Sequence, residues 1–176
     1  MKTRIVLLCE DEQQACFVRR YLKKRGYSSH DIREEIAPVA KGSGEQWVRN
    51  RFPQELSAYR NVKSMDKALI VVTDADLLEV DKRIQTLNRK CSEESIPLPR
   101  PDEKIVFIVP KRNIETWLAF LRGQTVNEDD EYPKYKGESD CRDEVDQLHD
   151  YCFKQQRLPS DAPASLLLSC KEYKKL

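Results

Sequence analysis

The stretch Lys67-Ala-Leu-Ile-Val-Val-Thr-Asp74-Ala-Asp76 decides the fold class of this chain. Residues 68–73 are all apolar or β-branched, and Asp74 and Asp76 follow directly. A short unbroken run rich in Val and Ile favours a strand that is buried on both faces. Such strands belong to parallel sheets covered by helices, and the ligands of those sheets bind beyond the carboxyl ends of the strands. The sequence therefore predicts an α/β fold with a functional site at the two aspartates.

Two further apolar runs predict neighbouring strands of the same sheet. Arg4 to Cys9 leads into Glu10, and Lys104 to Val109 is closed by Pro110. A weaker strand is expected around 34–39. We expect strands 4–9, 68–73 and 104–109 to be adjacent and parallel, in a Rossmann-like, mostly parallel sheet with helices on both faces.

Amphipathic segments between these runs predict the covering helices. Asp11 and Asn113 are expected to be N-caps, and Pro53 is expected to kink or split the helix that contains it. No internal repeat and no second core are evident, so residues 1–176 are expected to form one domain, with a core over about 4–121 and a helical extension over 122–176. The predicted helices are 12–25, 45–60, 80–91, 113–121, 141–156 and 164–176.

Charge and composition exclude several functional classes. The 31 Lys and Arg residues nearly balance the 30 Asp and Glu residues, so a basic field over the whole protein is excluded and nucleic-acid binding must be local.

No run approaches the 18 or so apolar residues of a membrane helix, and the start of the chain is not a signal peptide. The six cysteines form no C-x-x-C pair. These features predict reduced, buried thiols and a cytoplasmic protein.

Four acidic residues are expected at one edge of the sheet. Glu10 ends the first strand, Asp74 and Asp76 follow the central one, and Glu115 lies just inside the helix after the third. In an extended chain, side chains at i and i+2 point the same way, so the two aspartates are expected to face one hard cation such as Mg²⁺. The alternative is that these acids only end strands and cap helices, paired with Lys111 or Arg112.

Basic and glycine-rich segments suggest a phosphate-binding surface. Gly42, Ser43 and Gly44 precede a helix whose N-terminal amides are suited to hold a phosphate, although a plain loop with glycines for turn geometry is the better explanation of so short a motif. Arg49 and Arg51 make this helix locally basic, although exposed arginines usually form only a solvated face. A cation together with a nearby Lys or Arg is what phosphodiester cleavage requires.

The sequence resembles the Toprim-like proteins, in particular small stand-alone members of prokaryotic defence and mobile-element operons that are related to OLD-type nucleases. The resemblance spans roughly residues 4–121. It is carried by Leu8-Cys-Glu10-Asp-Glu12, Gly42-Ser-Gly-Glu-Gln-Trp47, Val72-Thr-Asp74-Ala-Asp76 and Arg112-Asn-Ile-Glu115-Thr-Trp117.

The resemblance implies a Toprim-like sheet that binds Mg²⁺ or Mn²⁺ and cleaves nucleic acid, DNA in preference to RNA. Glu10 would be the general acid/base or a metal ligand. Lys111 is predicted as a second catalytic group on separate grounds, because a lysine beside a bound cation balances transition-state charge. Asp74, Asp76 and Glu115 would complete the metal site. The nucleic-acid contacts would come from Gly42, Ser43, Gly44, Arg49, Arg51 and Arg112.

The resemblance also implies a subunit of an antiphage defence system. The chain contains no G-x-x-x-x-G-K-[ST] motif, so a separate ATPase is the expected partner. Two departures are visible: Asp11 and Leu77 stand where the family usually has glycine. They raise the alternative of a catalytically inactive, nucleic-acid-binding assembly subunit.

A receiver-like signalling domain is the alternative from another functional class. In that interpretation Asp11 and Glu12 would be the acidic pair, Asp74 would accept a phosphoryl group and Lys111 would detect it. Asp76 and the Asn-Ile-Glu-Thr-Trp helix have no role in such a domain.

Overall fold

The computed structural model describes residues 3–39, 42–62, 66–76 and 78–176. Over these residues the strands are β1 (Arg4–Cys9), β2 (Ile32–Ile36), β3 (Lys67–Val72) and β4 (Ile105–Ile108). The helices are α1 (Glu12–Lys24), α2 (Gly44–Asn61), α3 (Val80–Glu93), α4 (Ile114–Leu121), α5 (Arg142–His149) and α6 (Ala164–Glu172).

The four strands form one parallel sheet in the order β2-β1-β3-β4. Leu8 of β1 is aligned with Glu35 of β2 and with Val71 of β3, and Val71 is aligned with Phe107 of β4. The predicted α/β class and the adjacency of the three strong strands are therefore confirmed.

Helices cover both faces of the sheet because alternate strand residues point to opposite sides. Leu7 and Ile70 pack into one hydrophobic cluster with α1, α4, α5 and α6. Leu8 and Val71 pack into a second cluster with α2 and α3. Burial on both faces is what the unbroken apolar runs of β1, β3 and β4 predict.

Three local predictions differ from the structure in part. The second strand begins at Ile32 instead of Glu34, because the alternation from Ile32 to Ile36 forms a half-buried edge strand. The helix α2 continues through Pro53, which is buried, so the predicted split of this helix is wrong. The segment predicted as one helix over 141–156 is α5 followed by a π-helical turn, Asp150–Gln155.

The prediction of reduced thiols is wrong for Cys152 and Cys170, which form a disulfide with their Cα atoms 5.2 Å apart. Their 18-residue separation carries no signal of this pairing; it arises because α6 packs beside the turn that follows α5. Cys9, Cys16, Cys91 and Cys141 are free and buried, as expected.

The end of α6 protects the exposed edge of β4. The Phe107 N–H donates to Glu172 Oε2 at 2.9 Å, and Lys175 Nζ donates to the Ile105 carbonyl at 3.2 Å. An edge strand with unpaired backbone groups is a template for pairing with other chains, and these two bonds satisfy some of those groups.

Within the described part of the chain, no helix combines the length and the apolar character needed to cross a bilayer.

Candidate functional site

The sheet order places a crevice between the carboxyl ends of β1 and β3. From β1 the chain continues into α1 on one face of the sheet, and from β3 it continues into α3 on the other face. Adjacent strands whose connections leave in opposite directions define the switch point at which open α/β sheets bind their ligands. Glu10 follows β1 and Asp74 lies two residues beyond β3, so both lie at this crevice.

Hydrogen bonds join Glu10 and Asp74 directly. The Asp74 N–H donates to Glu10 Oε1 at 2.8 Å, and the Thr73 hydroxyl donates to the same oxygen. The two strand ends therefore hold the Glu10 carboxyl group in one orientation above β3.

Gln14, which the sequence analysis did not single out, links both acids from the first turn of α1. Its Oε1 accepts from the Glu10 N–H at 3.0 Å, and its Nε2 donates to Asp74 Oδ1 at 3.0 Å. Asp11 caps the same helix by accepting from the Gln14 N–H at 2.9 Å, as predicted. Asp11 and Gln14 have the spacing of a capping box. That spacing is the sequence feature that could have indicated a role for Gln14.

Burial changes the proton affinity of the acids in the crevice. Burial raises the pKa of Glu10 to about 7, although the bonds from Thr73 and Asp74 oppose this shift. Burial, reinforced by the charges of Glu10 and Asp11, raises the pKa of Asp74 well above its ordinary value. Carboxylates that are poorly hydrated and close to one another favour the protonated state or the binding of a neutralising cation.

Glu115 lies close to these acids from the side of α4. It is 5% exposed, in the first turn of a helix that Asn113 caps by accepting from the Thr116 N–H at 3.2 Å. Burial raises the pKa of Glu115, and its charge in turn raises that of Asp74. Glu10, Asp11, Asp74, Asp76 and Glu115 are called the acidic cluster below.

The N-terminus of α2 touches Glu10, which explains Gly44. A Cβ added to Gly44 would lie 2.8 Å from Glu10 Cβ and 2.9 Å from the Glu10 carbonyl oxygen, closer than side chains approach. Ser43 caps α2 by accepting from the Gln46 N–H at 3.2 Å, and Gly42 has a positive φ of 82°. The glycine loop therefore brings the first amides of α2 to the crevice. Lys41 of this loop and Leu77 after the aspartates lie outside the described residues.

The expected extended geometry of Asp74 and Asp76 is wrong. The strand ends at Val72, and Asp76 has a φ of 50° in a turn closed by the bond from the Leu78 N–H to the Ala75 carbonyl. The two carboxyl groups therefore do not share one side of a strand. Asp76 instead forms an ion pair with Arg83 of α3, at 3.0 Å from Nη2 to Oδ2.

Arg83 is the second residue that the sequence analysis missed. It is 6% exposed, and its Nη1 lies 2.7 Å from Oε1 of Glu45 in the first turn of α2. One sequence feature could have indicated Arg83: it is a charged residue within the apolar stripe that Val80, Ile84 and Leu87 form on α3.

Lys111 and Arg112 do not form ion pairs with the acidic cluster. Lys111 Nζ lies 3.0 Å from Asp129 and 3.8 Å from Glu79, and Arg112 pairs with Glu131. The alternative in which these two cations pair with the acids is therefore wrong: the irregular segment after α4 folds back and supplies carboxylates of its own.

The arginines of α2 are also engaged within the chain. Arg49 lies 3.0 Å from Glu45, and Arg51 lies 2.9 Å from Glu55, whose side chain is buried. In the protein alone, both arginines thus neutralise neighbouring carboxylates.

The acidic cluster suits a divalent cation only in part. Among the described residues, no group of three or more His, Cys, Asp or Glu side chains is arranged to hold a metal ion. Carboxylate oxygens are nevertheless the donors that Mg²⁺ and Mn²⁺ prefer, and Mg²⁺ usually takes one or two carboxylates and keeps several waters. Glu10 and Asp74 meet that smaller requirement, whereas Asp76 is held by Arg83.

Comparison with protein-family models, with curated proteins and with solved structures finds no match to this chain. The resemblance to Toprim-like proteins therefore remains a prediction based on the quoted motifs.

Proposed function

We propose that this protein is a nuclease that depends on Mg²⁺ or Mn²⁺ and cleaves phosphodiester bonds at the crevice between β1 and β3. The observation that carries the proposal is the joining of two partly buried acids, Glu10 and Asp74, through the Asp74 N–H and the Thr73 hydroxyl. Burial raises the pKa of both acids, and the charge of Glu10 adds to the shift of Asp74, so their ionised forms carry an energetic cost that a bound cation would offset.

The residues around the crevice have distinct roles in this proposal. Glu10 and Asp74 hold the cation, which when bound would polarise a phosphate and lower the pKa of a water molecule. With a pKa of about 7, Glu10 can also exchange a proton near neutral pH, as a general acid or base requires. The first amides of α2, next to Gly44, favour an anionic group at the same place.

Nucleic acid is the substrate that this chemistry favours, and the proposed preference for DNA over RNA comes from the motif resemblance. Arg49, Arg51 and Arg112 are the proposed phosphate contacts, and each would exchange an intrachain carboxylate for a phosphate on binding. A separate ATPase partner and a role in antiphage defence belong to the same proposal and are supported by the motif resemblance alone. A cytoplasmic location is also proposed, and the free, buried thiols of Cys9, Cys16, Cys91 and Cys141 support it.

The test is cleavage of plasmid and single-stranded DNA, and of RNA, with Mg²⁺ or Mn²⁺. We expect Glu10→Gln and Asp74→Asn to abolish cleavage, because each removes a proposed ligand. Asp143→Asn, a matched change of an exposed acid in α5, should leave it intact. Lys111→Gln tests the predicted catalytic lysine separately. Cleavage that persists in Asp74→Asn, or that is absent from the wild type with both metals, would contradict the nuclease proposal.

The receiver alternative keeps one supporting observation, the sheet order β2-β1-β3-β4, which flavodoxin-like signalling domains share in their first four strands. Against it, Asp11 is used as a helix cap and Lys111 pairs with Asp129. Incubation with acetyl phosphate decides between the two: a receiver would become phosphorylated on Asp74, and the nuclease would not.

A further inference from the structure

Arg83 connects the two sides of the crevice. From α3 its Nη1 pairs with Glu45 at 2.7 Å, and its Nη2 pairs with Asp76 at 3.0 Å and donates to the Ala75 carbonyl at 3.2 Å. Glu45 follows Gly44, the residue that contacts Glu10. The guanidinium group thus binds the loop after β3 to the start of α2.

Arg83 and Asp76, the two members of this ion pair, differ in how far they are buried. Arg83 is 6% exposed and its Nε has no hydrogen-bond partner among the described residues, whereas the Asp76 side chain is 60% exposed. Asp76 can therefore leave the pair through solvent, while Arg83 stays fixed in α3. Release of Asp76 to another cation would leave Arg83 with its bonds to Glu45 and to the Ala75 carbonyl.

A positive charge at this position opposes a divalent cation in two ways. It repels the cation, and it occupies a carboxylate that the cation would otherwise bind. Lys111 and Arg112, the cations that the sequence predicted here, pair with residues of the segment after α4 instead.

We propose that Arg83 is the internal counter-ion of the crevice, a positioning residue that holds the Asp76 carboxylate in the metal-free protein and that a divalent cation displaces from it. The inference rests on the proposed metal site at Glu10 and Asp74. It explains why the Asp-x-Asp motif does not present both carboxylates to one point in this structure. It also makes the affinity for the cation weaker than the carboxylates alone would give.

The test is calorimetric titration of the full chain with Mn²⁺. Arg83→Gln should bind Mn²⁺ about tenfold more tightly than the wild type, because one repulsive charge is removed and Asp76 is released. Arg89→Gln, the same change at an exposed position of α3, should bind with wild-type affinity. In an Asp76→Asn background, the gain from Arg83→Gln should shrink to less than about threefold, because no carboxylate is left to release.

A second variant covers the case in which Arg83→Gln fails to fold. Arg83→Met combined with Glu45→Gln removes both charges of the Arg83–Glu45 pair and keeps the net charge; only Arg49, whose side chain is 36% exposed, also loses a partner. This variant should also tighten Mn²⁺ binding, because Asp76 is released. Wild-type or weaker affinity in both variants would overturn the role of Arg83 while leaving the metal site in place. If neither the wild type nor the Arg83 variants bound Mn²⁺, the proposed metal site would fail and this inference with it.

Discussion

Glu10 is the residue on which the chemistry of the crevice depends. Its carboxyl group is largely withdrawn from water, and burial outweighs the two hydrogen bonds that favour its ionised form. The result is an acid that titrates near neutral pH instead of near 4.5. The same group is therefore a source of instability in the metal-free protein and a candidate for proton transfer.

This shift predicts how metal-free stability changes with pH. Because the folded pKa of Glu10 is raised, the unfolded chain loses the proton first, so stability falls as the pH rises from about 4.5 to about 7 and is level above that. The decrease amounts to up to about 3 kcal/mol. Urea unfolding in the presence of a chelator should show this slope in the wild type and a shallower one in Glu10→Gln. With Asp143→Asn as the control, equal slopes for all three proteins would contradict the shift.

Gly44 is required by its close approach to Glu10, and not only by turn geometry. In Gly44→Ala the new methyl group would meet the backbone of Glu10, so α2 has to move away from β1. We expect a decrease of about 1–3 kcal/mol in unfolding free energy, as is typical of overpacking, together with weaker Mn²⁺ binding. Gly137→Ala is the control, because an added Cβ there meets nothing within 4 Å. Equal stability of the two variants by urea unfolding would show that α2 does not need this close approach.

At the scale of the elements, α2 joins the crevice to a basic surface. Its first turn meets Glu10, and its second and third turns carry Arg49 and Arg51. Both arginines are paired with carboxylates, so binding to a phosphate backbone has to compete with these pairs.

Salt dependence of DNA binding measures this competition. Replacing Arg49 and Arg51 by Gln should flatten the slope of log K against log salt by about 0.9 for each phosphate that an arginine no longer neutralises. Arg33 still pairs with Glu55 in this variant, so the buried carboxylate keeps a partner. Arg89→Gln on α3 should leave the slope unchanged. A wild-type slope in the double variant would assign both arginines to intrachain ion pairs only.

Across the whole molecule, the strong strands, their adjacency and the helix caps agree with the predictions, whereas the partners of several side chains do not. The apolar runs of β1, β3 and β4 specify buried parallel strands, and the caps at Asp11 and Asn113 follow from residue type. Adjacent parallel strands then bring Glu10 and Asp74 to one edge, whatever the loops do.

Positions set by long-range packing could not be derived from the sequence. Lys111 turns toward Asp129 because the segment after α4 folds back over it, and Arg83 reaches Asp76 and Glu45 only because α3 packs beside α2. The disulfide of Cys152 and Cys170 depends in the same way on the return of α6. Residue types and spacings contain no information on which partner such a side chain will meet.

The central claim, a divalent cation held by Glu10 and Asp74, is tested most directly by the free energy of unfolding as a function of Mn²⁺ concentration. For one site the gain follows RT ln(1 + [L]/Kd), about 2.7 kcal/mol at a hundredfold excess over Kd. We expect this gain in the wild type and in Asp143→Asn. Asp74→Asn should not show it, while its metal-free form is at least as stable as the wild type because like-charge crowding is relieved. A wild type equally stable without metal and with saturating Mn²⁺ would contradict the account.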